Sequence, residues 1–470
     1  DIQSRFNWVE NYFENIPSYV KYPSVDILKG FKDVPMVIVG AGPSLKKNAH
    51  LLREIRGRAV IVAAVTAYKP LLKHGVIPDF VIAAEKCDLP EYFTHDGNDR
   101  QIRLILADVA HPNMFGRDAK NKFIFYNQHC DLGHKFSRTF GATYLPSCGG
   151  SVTTVAFDIG VMFGFSPIVL VGQDLAYGDD GRTHIEGGVY IDQKITINKD
   201  SSNVLVNERF LSRDHKELNQ AINQKLLWLN DRDGNPIPSK FDWVTFHQWF
   251  ENYIRNMKSV KFPTRLINAT EGGAYIEGME HITLREAIDG CIGPLAGGKT
   301  VEGIICEAET RRPALDMEAI LSSIESMEAD LNNVQRLAAG IVREAGAIKK
   351  RCASEKALTG FDREIKKIRK TEAGLFEAAG RATFLWEALS SYTYELKEYL
   401  RDDPHEDSFE QFKKDVNAIH VSYKNVGKMC RRLKPFLSKA IDAINNKGAG
   451  GKENLELSGQ HGVKDTVGCV

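Results

Sequence analysis

The sequence predicts an α/β chain: a doubly wound, mostly parallel sheet followed by an all-α helical bundle. Three observations predict it. Short continuous apolar runs recur from residue 36 to residue 171, helical stretches separate several of them, and after about residue 305 the strand-like runs give way to a heptad seam. Strands buried on both faces read as unbroken β-rich runs, and strand–helix alternation is the pattern of a parallel sheet.

Residues 1–34 read as a helical lead-in, with Phe6, Val9, Tyr12 and Phe13 at helical spacing. The predicted strands lie at 36–39, 59–65, 80–84, 102–106, 123–126 and 168–171. Helices are predicted within "SLKKNAHLLREI" and "SVTTVAFDIGVMFG". The span 151–172 approaches membrane-crossing length, but Asp158 and Pro167 interrupt it. It reads better as a buried helix ending near Gly164 and then a buried strand. Residues 190–290 mix strands, loops and a helix around "WVTFHQWFENYI", and complete a core domain over 35–290. From Met317 to Ile348, apolar residues alternate spacings of three and four, the a/d pattern of packed helices. Two further helical patterns, 355–402 and 406–446, flank a break at Pro404 and Asp407 and complete a predicted antiparallel bundle over 305–446. Residues 447–470 are Gly-rich and polar, as expected of a disordered tail.

Composition narrows the function classes. The 470 residues carry 61 basic and 61 acidic side chains, whereas a dedicated nucleic-acid binder carries a basic surplus. No two of the eight cysteines form a C-x-x-C pair, which fits reduced thiols rather than a zinc site or a disulfide framework. The polar first thirty residues carry no secretory pattern. A cytoplasmic protein without a membrane or nucleic-acid partner is expected.

The chemistry concentrates in three stretches. In "VPMVIVGAGPSLKKN" a buried strand runs into Gly40, Ala41, Gly42, Pro43 and Ser44 before a predicted helix. Such a turn aims backbone N–H groups and a helix N-terminus at one point, and so favours an anion. It is not the dinucleotide fingerprint, because Leu45 stands where the third glycine belongs and no acidic residue lies between Glu54 and Asp79. The ATP loop G-x-x-x-x-G-K-[ST] is absent as well. A second cluster, 147–188, opens a helix with Gly149, Gly150 and Ser151 and places Gln173, Asp174 and Tyr177 directly after a buried strand. Thr183 and His184 follow on a Gly/Asp-rich loop. Ligands of open α/β sheets sit at the carboxyl ends of strands. Gly40–Ser44, Thr66, Glu85, Gly149–Ser151 and Gln173–Tyr177 are therefore expected to line one crevice. The third stretch, "INATEGGAYIEG", reads as another backbone-approach loop carrying Asn268, Glu271 and Gly272. The adjacent Asp179 and Asp180 read as a solvated turn, with no metal expected.

These stretches, together with "GVIPDFVIAAE", resemble the motility accessory factor (Maf) family. Its members are flagellin glycosyltransferases that use nucleotide-activated nonulosonic acids, and their core is shared with MptE-like 6-hydroxymethylpterin diphosphokinases. The core is also similar to bacterial sialyltransferases, implying a Rossmann-like, sialyltransferase-like sheet. Those enzymes carry G-N-G-P-S-L on the first strand. This chain matches at Gly40, Gly42, Pro43, Ser44 and Leu45 and departs at Ala41, while Val65-Thr66 falls near another nucleotide-binding asparagine.

The resemblance implies an inverting, metal-independent transfer of a nonulosonic acid, pseudaminic or legionaminic in type, from a CMP-sugar to Ser or Thr of flagellin. No cofactor beyond the donor is implied. The departing phosphate needs donors, for which Gly40–Ser44, Gly149–Ser151 and Tyr177 are candidates. The acceptor hydroxyl needs a base. His184 is the first choice because histidine titrates near neutrality, with Asp174 and Glu85 next. Gln173, Thr66 and Thr183 are expected beside the nucleotide, and Asn268, Glu271 and Gly272 beside sugar or acceptor. The helical bundle is expected to dock flagellin. The alternatives are a diphosphokinase using Mg-ATP and a catalytically inactive nucleotide-binding or export-partner protein.

Overall fold

The computed structural model describes residues 2–94, 96–189, 195, 203–211, 217–259, 263–354, 360–381 and 408–449. The expected disordered tail falls, beyond residue 449, outside these residues, as does the break at Pro404 and Asp407. The chain divides into two compact units, residues 1–314 with 383–398, and 315–382 with 399–470.

The first unit is built on one sheet. Its strands are β1 (Met36–Val39), β2 (Val60–Ala64), β3 (Phe80–Ala83), β4 (Arg103–Ala107), β5 (Asn121–Phe125) and β6 (Ile168–Val171). Next come β7 (Asn203–Leu211) and β8 (Glu217–Lys225), which pair with each other, and the hairpin β9 (Leu227–Asn230) and β10 (Pro236–Ser239). Finally β11 (Leu266–Asn268) and β12 (Glu280–His281) return to the main sheet. The sheet order is β12-β11-β6-β1-β2-β3-β4-β5, and its pairs are parallel. All six strands expected over 36–171 are present. β1, β2, β3, β4 and β6 are buried at every position, which is why they read as unbroken apolar runs. The winding reverses between β1 and β6, and that reversal fixes the site.

Helices α1 (Ile2–Glu14) and α2 (Ile16–Lys21) form the lead-in. The amides of Asn11 and Asn15 donate to the backbone of Lys86, Asp108, Val109 and Ala110, fastening the lead-in to the loops after β3 and β4. The helix expected after the glycine turn is short: α3 (Leu45–Asn48) passes at once into a 3₁₀ segment over Ala49–Ile55. The others are α4 (Val65–Lys73), α5 (Pro112–Gly116), α6 (Asp131–Thr139), α7 (Val152–Phe163), α8 (Phe241–Ser259), α9 (Leu284–Cys291) and α10 (Val301–Glu309). α7 ends at Gly164 in the left-handed region, as a helix C-terminus prefers. Asp158, inside α7, is satisfied by the hydroxyls of Tyr144 and Tyr253 and the amide of Ser147. No described helix is long and apolar enough to cross a membrane.

The second unit contains α11 (Met317–Ser354), α12 (Asp362–Arg381) and α13 (Ser408–Ala449). The seam residues Ile320, Ile324, Met327, Leu331, Val334, Ala338, Ile341, Ala345 and Ile348 are all buried. Lys349 reaches Asn417 while Glu328 accepts from Ser438, so α11 and α13 run antiparallel. The division falls later than the expected residue 305 because α10 belongs to the sheet unit. Arg103, only 1% exposed on β4, holds Glu302 by two 2.9 Å hydrogen bonds and Glu309 by two of 2.8 and 3.4 Å.

Replacing Arg103 by Leu leaves two carboxylates facing an apolar side chain and is expected to cost about 3 kcal/mol. Glu302→Gln, at the half-exposed end of the pair, is expected to cost under about 1 kcal/mol. Urea unfolding followed by tryptophan fluorescence measures both, since Trp8, Trp228, Trp243 and Trp249 all belong to the sheet unit.

Candidate functional site

The glycine turn after β1 lies against the turn after β6, at the point where the winding reverses. The two approach so closely that side chains are excluded. A Cβ on Gly40 would stand 2.5 Å from the Gly172 carbonyl oxygen, and one on Gly172 2.5 Å from that of Gly40. Gly172 also has φ +65°, a region natural to glycine. The N–H of Gly40 donates to Val171 and that of Gly42 to Gly172, each at 2.8 Å.

The anion in this turn is the protein's own. Asp174 accepts from the Ser44 N–H at 2.9 Å and from the Ser44 hydroxyl at 2.7 Å. The packing is built around that carboxylate: a Cβ on Gly42 would lie 1.8 Å from Asp174 Oδ2, and one on Gly273 2.2 Å from the Asp174 carbonyl oxygen. The expectation that Gly40–Ser44 presents free donors to a ligand phosphate is therefore corrected for Gly40, Gly42 and Ser44. Pro43 precedes the Ser44 cap of α3 rather than opening the helix, and a helix of four residues adds little dipole. Burial raises the Asp174 carboxyl to about 6, against the lowering effect of the Ser44 hydrogen bonds.

Gly149, Gly150 and Ser151 do precede a helix, but their donors are also engaged. Gly149 N–H donates to Thr154 Oγ1 at 2.8 Å, Gly150 N–H to Cys148 Sγ, and Ser151 Oγ caps Thr153 N–H. These glycines lie beneath α8: a Cβ on Gly149 would meet Trp249 at 2.4 Å and one on Gly150 would meet Phe246 at 2.6 Å. Helix packing explains this pair without a ligand.

Beside the Asp174 contact opens a polar cavity of about 500 Å³. Of the expected residues it gathers Pro43, Ser44, Asp174, Tyr177, Asn268, Glu271 and Gly272. Thr66, Glu85, Gly149–Ser151, Thr183 and His184 do not line this cavity, so one shared crevice is not what forms. Tyr177 is buried with its ring edge-on to Trp243 at 4.8 Å. Gln173 donates its N–H to Thr270 Oγ1, and Asn268 accepts the Thr270 N–H. Glu271 serves the architecture, since its Oε1 accepts from Asn48 at 3.0 Å and from the first N–H of α9 at 2.9 Å.

A second group lies along β1, β2 and β3. Segment 178–185 borders the cavity at Gly178–Asp180 and reaches Ala41, whose carbonyl accepts the Ile185 N–H at 2.8 Å. Farther on, a Cβ on Gly188 would sit 3.4 Å from the Thr66 carbonyl oxygen. Thr183 and His184 lie along the chain between these contacts, with His184 Nδ1 2.9 Å from Thr183 Oγ1. Burial, and secondarily the charge of Lys240, lowers His184 to about 4. At pH 7 its ring is neutral and able to accept a proton. Glu85 follows β3 and is exposed to solvent. Among the described residues no three His, Cys, Asp or Glu side chains form a metal-binding group.

The sequence reading missed several cavity residues: Lys46, Lys47, Arg232, Tyr275 and His281. Lys46 and Lys47 follow the glycine turn directly. Arg232 comes from a hairpin far along the chain, and nothing local marks it.

Asp174 binds its proton more tightly folded, near pH 6, than unfolded, near 3.8. The stability it contributes is full below 3.8 and is lost as pH rises through 6, a difference of about 3 kcal/mol. Asp174→Asn, whose amide can keep both Ser44 contacts, is expected to flatten the stability profile between pH 4 and 7 and to match or exceed the native protein at pH 7.5. Gly42→Ala is expected to expel the carboxylate and cost about 2–4 kcal/mol. Thermal unfolding across pH measures both.

Residues 10–180 match the family model described as 6-hydroxymethylpterin diphosphokinase MptE-like. No curated protein matches the chain. Among solved structures, the Maf glycosyltransferase from Magnetospirillum magneticum AMB-1 superposes with a TM-score of 0.54 at 14% identity, covering 96% of this chain. This chain spans 63% of that one. Over residues 10–180 the chain is thus similar to the MptE-like family, and its fold is similar to that of a Maf glycosyltransferase.

Proposed function

We propose that this chain is a protein O-glycosyltransferase of Maf type, transferring a nonulosonic acid from a CMP-sugar to Ser or Thr of flagellin in the cytoplasm. One observation carries the reading: the likeness to a Maf glycosyltransferase extends over 96% of the chain, whereas the MptE-like match ends at residue 180. The helical unit that begins at Leu315 is the natural candidate for docking the acceptor.

The residues divide the work. The nucleotide lies along Ala41, Thr66 and Thr183, and the sugar extends past segment 178–185 into the cavity. CMP leaves as a stable phosphate anion, so no general acid is required. The acceptor hydroxyl gives its proton to His184, which is neutral and belongs to the segment that joins the two regions. Asp174 stays hydrogen-bonded to Ser44 and holds the two turns in register, a positioning role rather than that of the base. The transfer is expected to invert the anomeric carbon and to need no metal.

The family model's description favours a second reading, a diphosphokinase using Mg-ATP. A ligand panel of CMP, CDP, Mg-ATP and NAD separates the two. CMP at about 100 times its dissociation constant is expected to raise stability by about 2.7 kcal/mol. A shift with Mg-ATP and none with CMP would transfer the assignment to the diphosphokinase. His184→Ala is expected to lower the transfer rate about 10²–10⁴-fold while leaving the CMP shift in place. Because His184 titrates near 4, the acid limb of the rate profile is expected well below that of an ordinary histidine.

A further inference from the structure

The far wall of the cavity carries residues with no role yet in the proposed transfer. Tyr275 is 40% exposed and lies flat on His281, ring centroids 4.4 Å apart and planes 21° from parallel. Its backbone is fixed on both sides: the N–H donates to Asn230 at 2.9 Å and the carbonyl accepts from His247 Nε2 at 2.6 Å. His281 is held by Ile276, its Nε2 3.0 Å from that carbonyl oxygen. An aromatic ring backed by a second ring and left open in a polar cavity is a preorganised face for another ring.

The charges around it sort into engaged and available groups. Glu271 caps α9, Asp231 closes its own turn through Asn235, Asp180 pairs with Arg182, and Asp174 is held by Ser44. Among the described residues, Lys46, Arg232 and the carboxylates of Asp179 and Asp233 line the same cavity with no hydrogen-bond or ion-pair partner. Arg232 stands in the turn that follows Asn230, and its charge reaches His281. Acceptors for hydroxyl groups, cations for one acidic group and a stacking face therefore converge.

We infer that Tyr275, backed by His281, is the stacking platform of a subsite for a hydroxylated ring bearing one carboxylate, which Arg232 pairs and Asp179 and Asp233 orient through its hydroxyls. The inference rests on the glycosyltransferase reading for taking that ring to be the donor's sugar. The subsite is separate from the nucleotide-binding face at Ala41 and Thr66.

The test uses the full chain and two probes, CMP and free N-acetylneuraminic acid, a carboxylated pyranose. Saturation-transfer NMR is expected to show contact with the sugar's ring protons. Tyr275→Ala and Arg232→Gln are each expected to weaken sugar binding at least 10-fold with the CMP dissociation constant unchanged, while Tyr275→Trp retains binding. Absence of sugar binding to the native chain, or binding that both variants leave intact, would overturn the subsite. So would a parallel loss of CMP and sugar affinity, which would make the cavity the nucleotide site. Sugar binding without any CMP binding would support the subsite and sink the CMP-dependent reading, so the two ideas fail separately.

Discussion

The pairing of Asp174 with Ser44 organises the first unit. A buried carboxylate must be met by donors, and here one residue supplies both, through its N–H and its hydroxyl. The carboxylate reaches Ser44 only because Gly42 has no side chain to obstruct it, and the Asp174 backbone packs as closely on Gly273. The loop after β11 closes over the same group, with Ala274 N–H donating to the Asp174 carbonyl at 2.7 Å. Three loops, after β1, β6 and β11, are thus tied at the carboxyl edge of the sheet. Nearby, Leu175 and Glu271 are driven to positive φ, 55° and 58°, a cost that persists only where the surroundings over-determine the conformation.

This arrangement changes the meaning of the glycine turn. A turn of this kind ordinarily concentrates positive potential for a ligand anion. Here that potential is largely taken up by an internal carboxylate, and open space lies beside it. On one side is the polar cavity toward β11; on the other are Thr66 and the Thr183–His184 pair. Segment 178–185 links the two, bordering the cavity at Gly178–Asp180 and bonding Ala41 through Ile185.

Much of this was legible in the sequence. Strand–helix alternation marked the doubly wound sheet, and the a/d seam from Ile320 to Ile348 marked the helical unit. The cluster of Ser44, Asp174, Asn268 and Gly272 was recognisable as neighbours because each follows a predicted strand or lies in a glycine-bearing loop. What the pattern could not express is which partner uses a donor. Gly149 and Gly150 look like an anion site, but their need for glycine comes from Trp249 and Phe246, about a hundred residues later. The same holds for α10, tied to the sheet by an arginine on β4. Such long-range pairings leave no periodicity. Tyr275 and Arg232 were missed for that reason: one lies in a loop read for its glycines, the other in a hairpin turn that looks solvated.

The most direct test is a crystal structure of the chain soaked with CMP. The expected result is nucleotide density along Ala41, Thr66 and Thr183, with Asp174 still hydrogen-bonded to both Ser44 donors. Phosphate seated against the Ser44 N–H, with Asp174 swung out of the turn, would contradict it.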